Sequence, residues 1–222
     1  LNLHFPAGKT TAIVGTSGSG KTTIPNLLLR FYEYEEGEVL IGGKRLEQFD
    51  FSLWRDKCGA VLQDNYVYAD TIEPNITVNE EFPDKQRLEN AIEISNLNEF
   101  IAEQPFGLAT KIGTAGKGVS QGQRQRLMIA RAVYKEPEFI FLDEATNSLD
   151  ANNEKVIIEN LNYFFQERTV IVVAHRLSTV KNADNIIVLE KGNVVEQGTH
   201  TELTALKGKY FELVRNQLEL GN

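Results

Sequence analysis

The sequence predicts an α/β fold with a mainly parallel sheet at its core, on three observations. Short apolar runs recur along the chain. They are mostly continuous rather than alternating, and helical patterns separate several of them. The runs are Val39-Leu40-Ile41, Ala60-Val61-Leu62, Phe139-Ile140-Phe141-Leu142, Val170-Ile171-Val172-Val173 and Ile186-Ile187-Val188-Leu189. Continuous apolar character suits strands buried on both faces, as in a parallel sheet. Strands alternating with helices define the α/β class.

Taken in order, Leu1, Leu3 and Phe5 alternate with Asn2 and His4, then Pro6-Ala7-Gly8-Lys9 reads as a turn and Thr10-Thr11-Ala12-Ile13-Val14 as a β-branched strand. Strand, turn and strand predict antiparallel strands at the N-terminus. Helical patterns follow at Ile24 to Phe31, Ser120 to Val133 and Ala151 to Phe165. Pro25 stands at the edge of what a first helical turn tolerates if the helix begins at Gly20 or Lys21, so a slight local distortion is expected. From Thr71 to Lys117 the chain carries helical segments such as Lys85 to Ile94 and Leu97 to Glu103, with few strand signals. This predicts a helical subdomain, residues 71–135, inserted within a domain that spans 1–222. The acidic run Glu33 to Glu38 reads as a solvated turn.

With 222 residues the chain suits one or two domains and can bury a substantial core. Its 23 Lys+Arg against 31 Asp+Glu leave a net charge of −8, which argues against a nucleic-acid partner held by bulk positive field. The single cysteine, Cys58, cannot form an internal disulfide. No apolar run approaches the ~18–20 residues of a membrane span. The only methionine is Met128, and the sequence opens inside an expected strand. Both features are expected of a piece of a longer polypeptide.

Gly15-Thr16-Ser17-Gly18-Ser19-Gly20-Lys21-Thr22 matches G-x-x-x-x-G-K-[ST], and Thr23 extends it. At average glycine usage the pattern arises by chance in roughly one chain of this size in a hundred. An expected strand before it and a helical pattern after it supply the context the motif requires. Its glycines let backbone N–H groups curl round a phosphate, Lys21 can reach the β- and γ-phosphates, and the Thr22 hydroxyl can ligate Mg²⁺. The candidate ligands are therefore the β- and γ-phosphates of a nucleotide and Mg²⁺.

In open α/β sheets ligands sit beyond the carboxyl ends of the strands. Four apolar runs here lead into suitable groups: Val14 into Gly15, Leu62 into Gln63, Leu142 into Asp143-Glu144, and Ala174 into His175. An acid at the position of Asp143 holds Mg²⁺ directly or through water. Glu144 carries a second carboxylate suited to orient or deprotonate a water. His175 reads as a γ-phosphate contact. Ser120, with Gln123 three residues on, is a capping box that opens an apolar-periodic helix.

These residues resemble the nucleotide-binding domain of an ABC transporter of the exporter type, over essentially the whole chain. The likeness rests on the phosphate loop, Leu28-Leu29-Arg30-Phe31-Tyr32, Gln63 with Thr71-Ile72 and Asn75-Ile76, and Ser120-Gln121-Gly122-Gln123-Arg124-Gln125-Arg126. It continues through Ile129-Ala130-Arg131-Ala132, Phe141 to Thr146, Ser148-Leu149-Asp150, Ala174 to Thr179 and Gly192 to His200. The resemblance implies a P-loop NTPase fold and a homodimer in which two domains pair head to tail around two ATP molecules. It further implies transmembrane domains in the same full-length chain, at the cytoplasmic face of the inner (plasma) membrane. Glu144 would be the general base, with His175 and Gln63 also catalytic. Thr22, Gln63 and Asp143 would serve Mg²⁺. Ser120, Gln121, Gly122 and Gln123 would act on the partner's ATP, and Asp150 would lie near the dimer seam.

Three departures from the family pattern stand out. Val119 and Gln121 replace Leu and Gly in the signature motif, and Gln121 adds a side chain where backbone approaches closely. Thr114 replaces the usual acid in Thr110 to Gly116. The adenine-stacking aromatic lies upstream of this sequence in the family. Ala132 to Pro137, Asn147 to Lys155 and Asn216 to Leu220 resemble a narrower group, bacterial exporters with an N-terminal cysteine-peptidase domain that process double-glycine-leader peptides such as bacteriocins. Two other readings stay open: a binding-only domain, favoured by Gln121, and a soluble relative serving DNA repair or translation, opposed by the charge and the modest insertion.

Overall fold

Four parallel strands form the heart of the first unit's sheet. The computed structural model describes all residues except 64–65, 114–117, 175–176 and 221–222. The elements run β1 (Thr10–Gly15), α1 (Thr23–Leu28), β2 (Leu40–Ile41), β3 (Lys44–Arg45), α2 (Phe51–Asp56), β4 (Cys58–Val61) and β5 (Asp70–Thr71). Next come α3 (Ile72–Thr77), α4 (Lys85–Ile94), α5 (Asn98–Ala102), β6 (Lys111–Ile112), α6 (Gln121–Tyr134), β7 (Phe139–Asp143) and α7 (Ala151–Phe164). The chain ends with β8 (Thr169–Val173), α8 (Leu177–Val180), β9 (Asn185–Glu190), β10 (Asn193–Gly198), α9 (His200–Leu206) and α10 (Lys209–Leu220). Two units divide it: residues 1–58, 139–143 and 167–222, and residues 59–138 and 144–166.

In the first unit the strand order is β10-β9-β1-β8-β7. β1 lies between β8 and β9 and is parallel to both, so Ala12 is in register with Val172 and Ile186. All five residues of β8 are buried, as are the four central residues of β1 and of β9. That is the burial the continuous apolar runs predict. β10 closes the edge antiparallel to β9, with a bulge between Val194 and Glu196. Periodicity missed this strand, because an edge strand buries alternate residues only in part.

α2 was also unforeseen. Asp50 caps it by accepting from the N–H groups of Ser52 and Leu53, at 2.9 and 3.0 Å. At six residues it is too short for periodicity to reveal. It carries Trp54 into the core, where the indole N–H donates to the Leu28 carbonyl at 2.8 Å and the ring meets Phe139 at 4.9 Å. Burying a tryptophan is favourable when its one donor is satisfied in this way.

No strand forms over Leu1 to Phe5. The antiparallel pairing in the N-terminal third is the β2–β3 ribbon, turned by Gly42 and Gly43 at φ 57° and 81°. Val39-Leu40-Ile41 is therefore not the doubly buried strand its apolar run predicts, because it lies outside the main sheet and leaves Leu40 exposed. Leu3 and Phe5 still point inward, lining a cavity of about 680 Å³ with Leu27, Trp54, Phe141 and Ile171. Alternation recorded their side-chain packing, but no described strand pairs with their backbone. The expected turn does form, with Gly8 at φ 67° donating its N–H to the Thr169 hydroxyl at 3.0 Å.

The second unit is mainly helical. α6 packs on α3 and α4, and α4 on α7. Leu88, Ala91 and Ile92 of α4 and Leu127, Ile129, Ala130 and Val133 of α6 are buried there. β5 and β6 make a short antiparallel ribbon. No helix among the described residues is long and apolar enough to cross a membrane.

Candidate nucleotide site

The phosphate loop follows β1 in the first unit. Gly15 turns the chain at φ 154°, and a Cβ there would lie 2.2 Å from the Leu189 carbonyl oxygen. Only glycine permits that approach. The loop is also braced by the turn after β9, where the Gly192 N–H donates to the Ser19 carbonyl at 3.1 Å. Sequence reading missed this brace, which joins positions far apart in the chain. Ser19 and Lys21 are buried, whereas Thr16, Ser17, Gly18, Thr22 and Thr23 are exposed. The Lys21 ammonium folds into the loop and donates to the carbonyls of Gly15 and Thr16 at 2.9 and 2.8 Å.

α1 begins at Thr23, later than Gly20 or Lys21, and this places Pro25 at its third residue. A missing N–H is harmless within the first turn. The helix also ends early. Arg30 takes φ 57°, its N–H bonds the Leu27 carbonyl at 3.0 Å, and the Phe31 N–H bonds the Asn26 carbonyl at 2.8 Å. This pair of bonds is a Schellman closure, formed here without glycine.

Asp143 is the last residue of β7 and is 1% exposed. It is in register with Val173, which is in register with Ile13 on the other side. Asp143 and the end of β1 thus share one sheet edge, two strand spacings or about 10 Å apart. Within the first unit, the Thr22 hydroxyl and the Asp143 carboxylate are oxygen donors of the kind that fit a hard cation retaining waters. Gln63 is exposed in the turn after β4 and Leu62. His175 and Thr114 lie outside the described residues.

In the second unit Ser120 caps α6 as expected. Its hydroxyl accepts from the Gln123 N–H at 3.1 Å, and the Gln123 side chain accepts from the Ser120 N–H at 2.8 Å. Gln121 is exposed at the first helical position. Gly122 faces the backbone of the loop before α7, where an added Cβ would lie 3.1 Å from the Ser148 carbonyl oxygen.

That loop begins with Glu144, at φ 55°. Its carboxylate accepts from the Asn147 amide at 2.7 Å. Gln125 reaches the loop as well, donating to the Glu144 carbonyl and accepting from the Ser148 N–H, both at 2.9 Å. Asp150 caps α7, accepting from the backbone and side-chain nitrogens of Asn153 at 3.0 and 2.6 Å. These bonds hold the Asp150 carboxyl below its ordinary range. Sequence pattern alone does not mark Gln125 or Asn147 for these contacts. A polar side chain gives no sign of which distant backbone group it will meet.

A loop of this shape at the carboxyl end of a parallel strand defines a phosphate-loop nucleotide-binding domain. The family model described as ABC transporter matches residues 1–147, and the chain belongs to the ABC transporter family. It is 44% identical over 217 residues to ABC transporter B family member 3 of Dictyostelium discoideum, covering 98% of this chain and 15% of that protein. It is 42% identical over 219 residues to the ATP-dependent lipid A-core flippase of Pectobacterium atrosepticum, covering 98% and 38%. The solved structure of a bacterial Atm1-family ABC exporter with ATP bound aligns at a TM-score of 0.89 and 38% identity, covering 94% of this chain and 36% of that one. The chain spans 15–38% of the length of these proteins. It is an ABC transporter nucleotide-binding domain similar to those of exporters.

Proposed function

We propose that this domain binds and hydrolyses ATP with Mg²⁺ and so powers export through transmembrane domains of the same full-length chain. The observation that carries this reading is the buried Lys21 ammonium, held by the carbonyls of Gly15 and Thr16 inside the loop. On binding, Lys21 exchanges those carbonyls for the β- and γ-phosphates, and the loop amides from Thr16 to Thr23 hold the remaining oxygens. Bound Mg²⁺ would be served by Thr22, Gln63 and Asp143 and would offset phosphate charge. Glu144 takes the proton of the attacking water, and His175 stabilises the γ-phosphate.

Two copies pair head to tail at the cytoplasmic face of the membrane. Ser120, Gln121, Gly122 and Gln123 of each act on the other's ATP, with Asp150 near the seam. Binding closes the pair and hydrolysis releases it. For the substrate we propose a peptide, on the resemblance of Ala132 to Pro137 and Asn147 to Lys155 to peptide-processing exporters. A second reading, binding without turnover, is favoured by the exposed side chain of Gln121.

The experiment is ATPase turnover of the full-length protein beside Lys21→Ala and Glu144→Gln. Glu144→Gln is expected to abolish turnover while retaining ATP, and Lys21→Ala to lose ATP. A wild-type rate no higher than that of Lys21→Ala supports the binding-only reading. Undiminished hydrolysis by Glu144→Gln removes the base assignment.

A further inference from the structure

We infer that Gln125 is the positioning residue for Glu144, and that through it the first turn of α6 and the Glu144 loop move as one piece. The inference rests on the reading of Glu144 as general base and of Ser120 as acting on a partner's nucleotide. One side-chain amide holds both ends of a five-residue loop. Its Nε2 donates to the Glu144 carbonyl, and its Oε1 accepts from the Ser148 N–H, each at 2.9 Å. The Glu144 carbonyl also accepts from the Asn147 N–H at 3.2 Å, and the Asn147 amide donates to the Glu144 carboxylate at 2.7 Å. The loop is thus closed on itself and tied to α6 at both ends.

Glu144 needs such a tie. Its φ of 55° lies in the left-handed region, which a residue other than glycine keeps only where its surroundings impose it. Gly122 lies three residues before Gln125, on the same helical face, and its bare Cα admits the Ser148 carbonyl. Between them Gly122 and Gln125 seat the loop on the helix that Ser120 and Gln123 cap. A shift of the α6 first turn, produced when Ser120 engages the other subunit's ATP, is carried to the carboxylate that acts on this subunit's own. The two nucleotide sites of a pair are coupled by this seat.

Glutamine supplies both the donor and the acceptor used here. Glutamate keeps the acceptor for Ser148 but loses the donor to the Glu144 carbonyl, and leucine loses both. The test compares wild type, Gln125→Leu, Gln125→Glu and Glu144→Gln in the full-length protein. Occupied sites are counted with a fluorescent ATP analogue, turnover is expressed per occupied site, and labelled ATP retained through gel filtration is measured.

For Gln125→Leu, turnover per site is expected to fall on the order of 10–100-fold, the cost of misplacing a catalytic group by about 1 Å. Analogue affinity should be kept, the Hill coefficient for ATP should drop toward one, and ATP should be retained as in Glu144→Gln. Gln125→Glu should fall between Gln125→Leu and wild type. Loss of folding alone cannot produce retained ATP or change turnover counted per site. If Gln125→Leu binds no analogue, Gln125→Glu decides by the same readouts. Wild-type turnover per site in the deciding variant, beside an inactive Glu144→Gln, overturns the proposal. Wild-type turnover by Glu144→Gln overturns the base assignment and the proposal together.

Discussion

The guanidinium of Arg131 lies 4.7 Å from the ring centre of Tyr68. From that position it donates to the carbonyls of Asn75 and Tyr66 at 2.8 and 3.0 Å, and to the Asn75 side chain at 3.3 Å. Asn75 is buried and turns back on Tyr68, accepting from its N–H at 2.7 Å and donating to its carbonyl at 3.1 Å. One cation on α6 thus fastens residues 66 to 75, the stretch that follows Gln63.

Arg131→Lys should lower the unfolding free energy by about 2 kcal/mol, because an ammonium cannot reproduce the planar fork and the stacking. Arg131→Ala should cost about 3 kcal/mol or more, since buried acceptors of Asn75 lose a charged donor. Urea unfolding of the two variants checks the order. Equal stability of Arg131→Lys and wild type would contradict it.

Gly15→Ala places a methyl 2.2 Å from the Leu189 carbonyl oxygen, a backbone atom in the neighbouring strand. Overpacking against backbone should destabilise by about 3 kcal/mol. It should also distort the loop enough to abolish binding of a fluorescent ATP analogue. Thermal unfolding and titration of the same sample measure both effects.

Tyr210 is 1% exposed, and burial pushes its phenol up to about 12. An unfolded tyrosine ionises near 10, so between about pH 10 and 12 the unfolded state has lost the proton that the folded state keeps. Stability from this group is whole below pH 10 and is lost as pH rises through 12, by about 2–3 kcal/mol in total. Tyr210→Phe removes that dependence along with the hydrogen bond to His200, 2.7 Å long. Below pH 10 the variant should be the less stable by about 1 kcal/mol, and the gap should close and reverse toward pH 12. Urea midpoints at pH 8, 10 and 11 for both proteins measure the crossover.

The candidate site was legible where its signal is local. A capping box spans four residues, so Ser120 and Gln123 mark the start of α6 without reference to the fold. The phosphate loop is one continuous segment, and Gly15 to Thr22 carried it whole. Where Pro25 falls in α1 was not legible, because the helix start depends on how the loop before it closes. The seat of Glu144 was not legible either. It joins Gln125 to residues 19 and 23 positions away, and neither periodicity nor propensity reports a pairing at that distance.

By itself the sequence determined most of the buried strands, though not the exposed β2 at Leu40–Ile41, and also where α6 would begin and which loop would meet phosphate. Those properties follow from side-chain hydropathy and short-range hydrogen bonding. Tertiary structure alone decided that Leu1 to Phe5 would pack without pairing, that Lys21 would rest on its own loop carbonyls, and that Glu144 would be held in a left-handed turn. Each of these depends on which backbone groups the folded chain brings within about 3 Å, or leaves out of reach. The chain's own path through the fold sets that, because a buried polar group must find a partner wherever the fold supplies one.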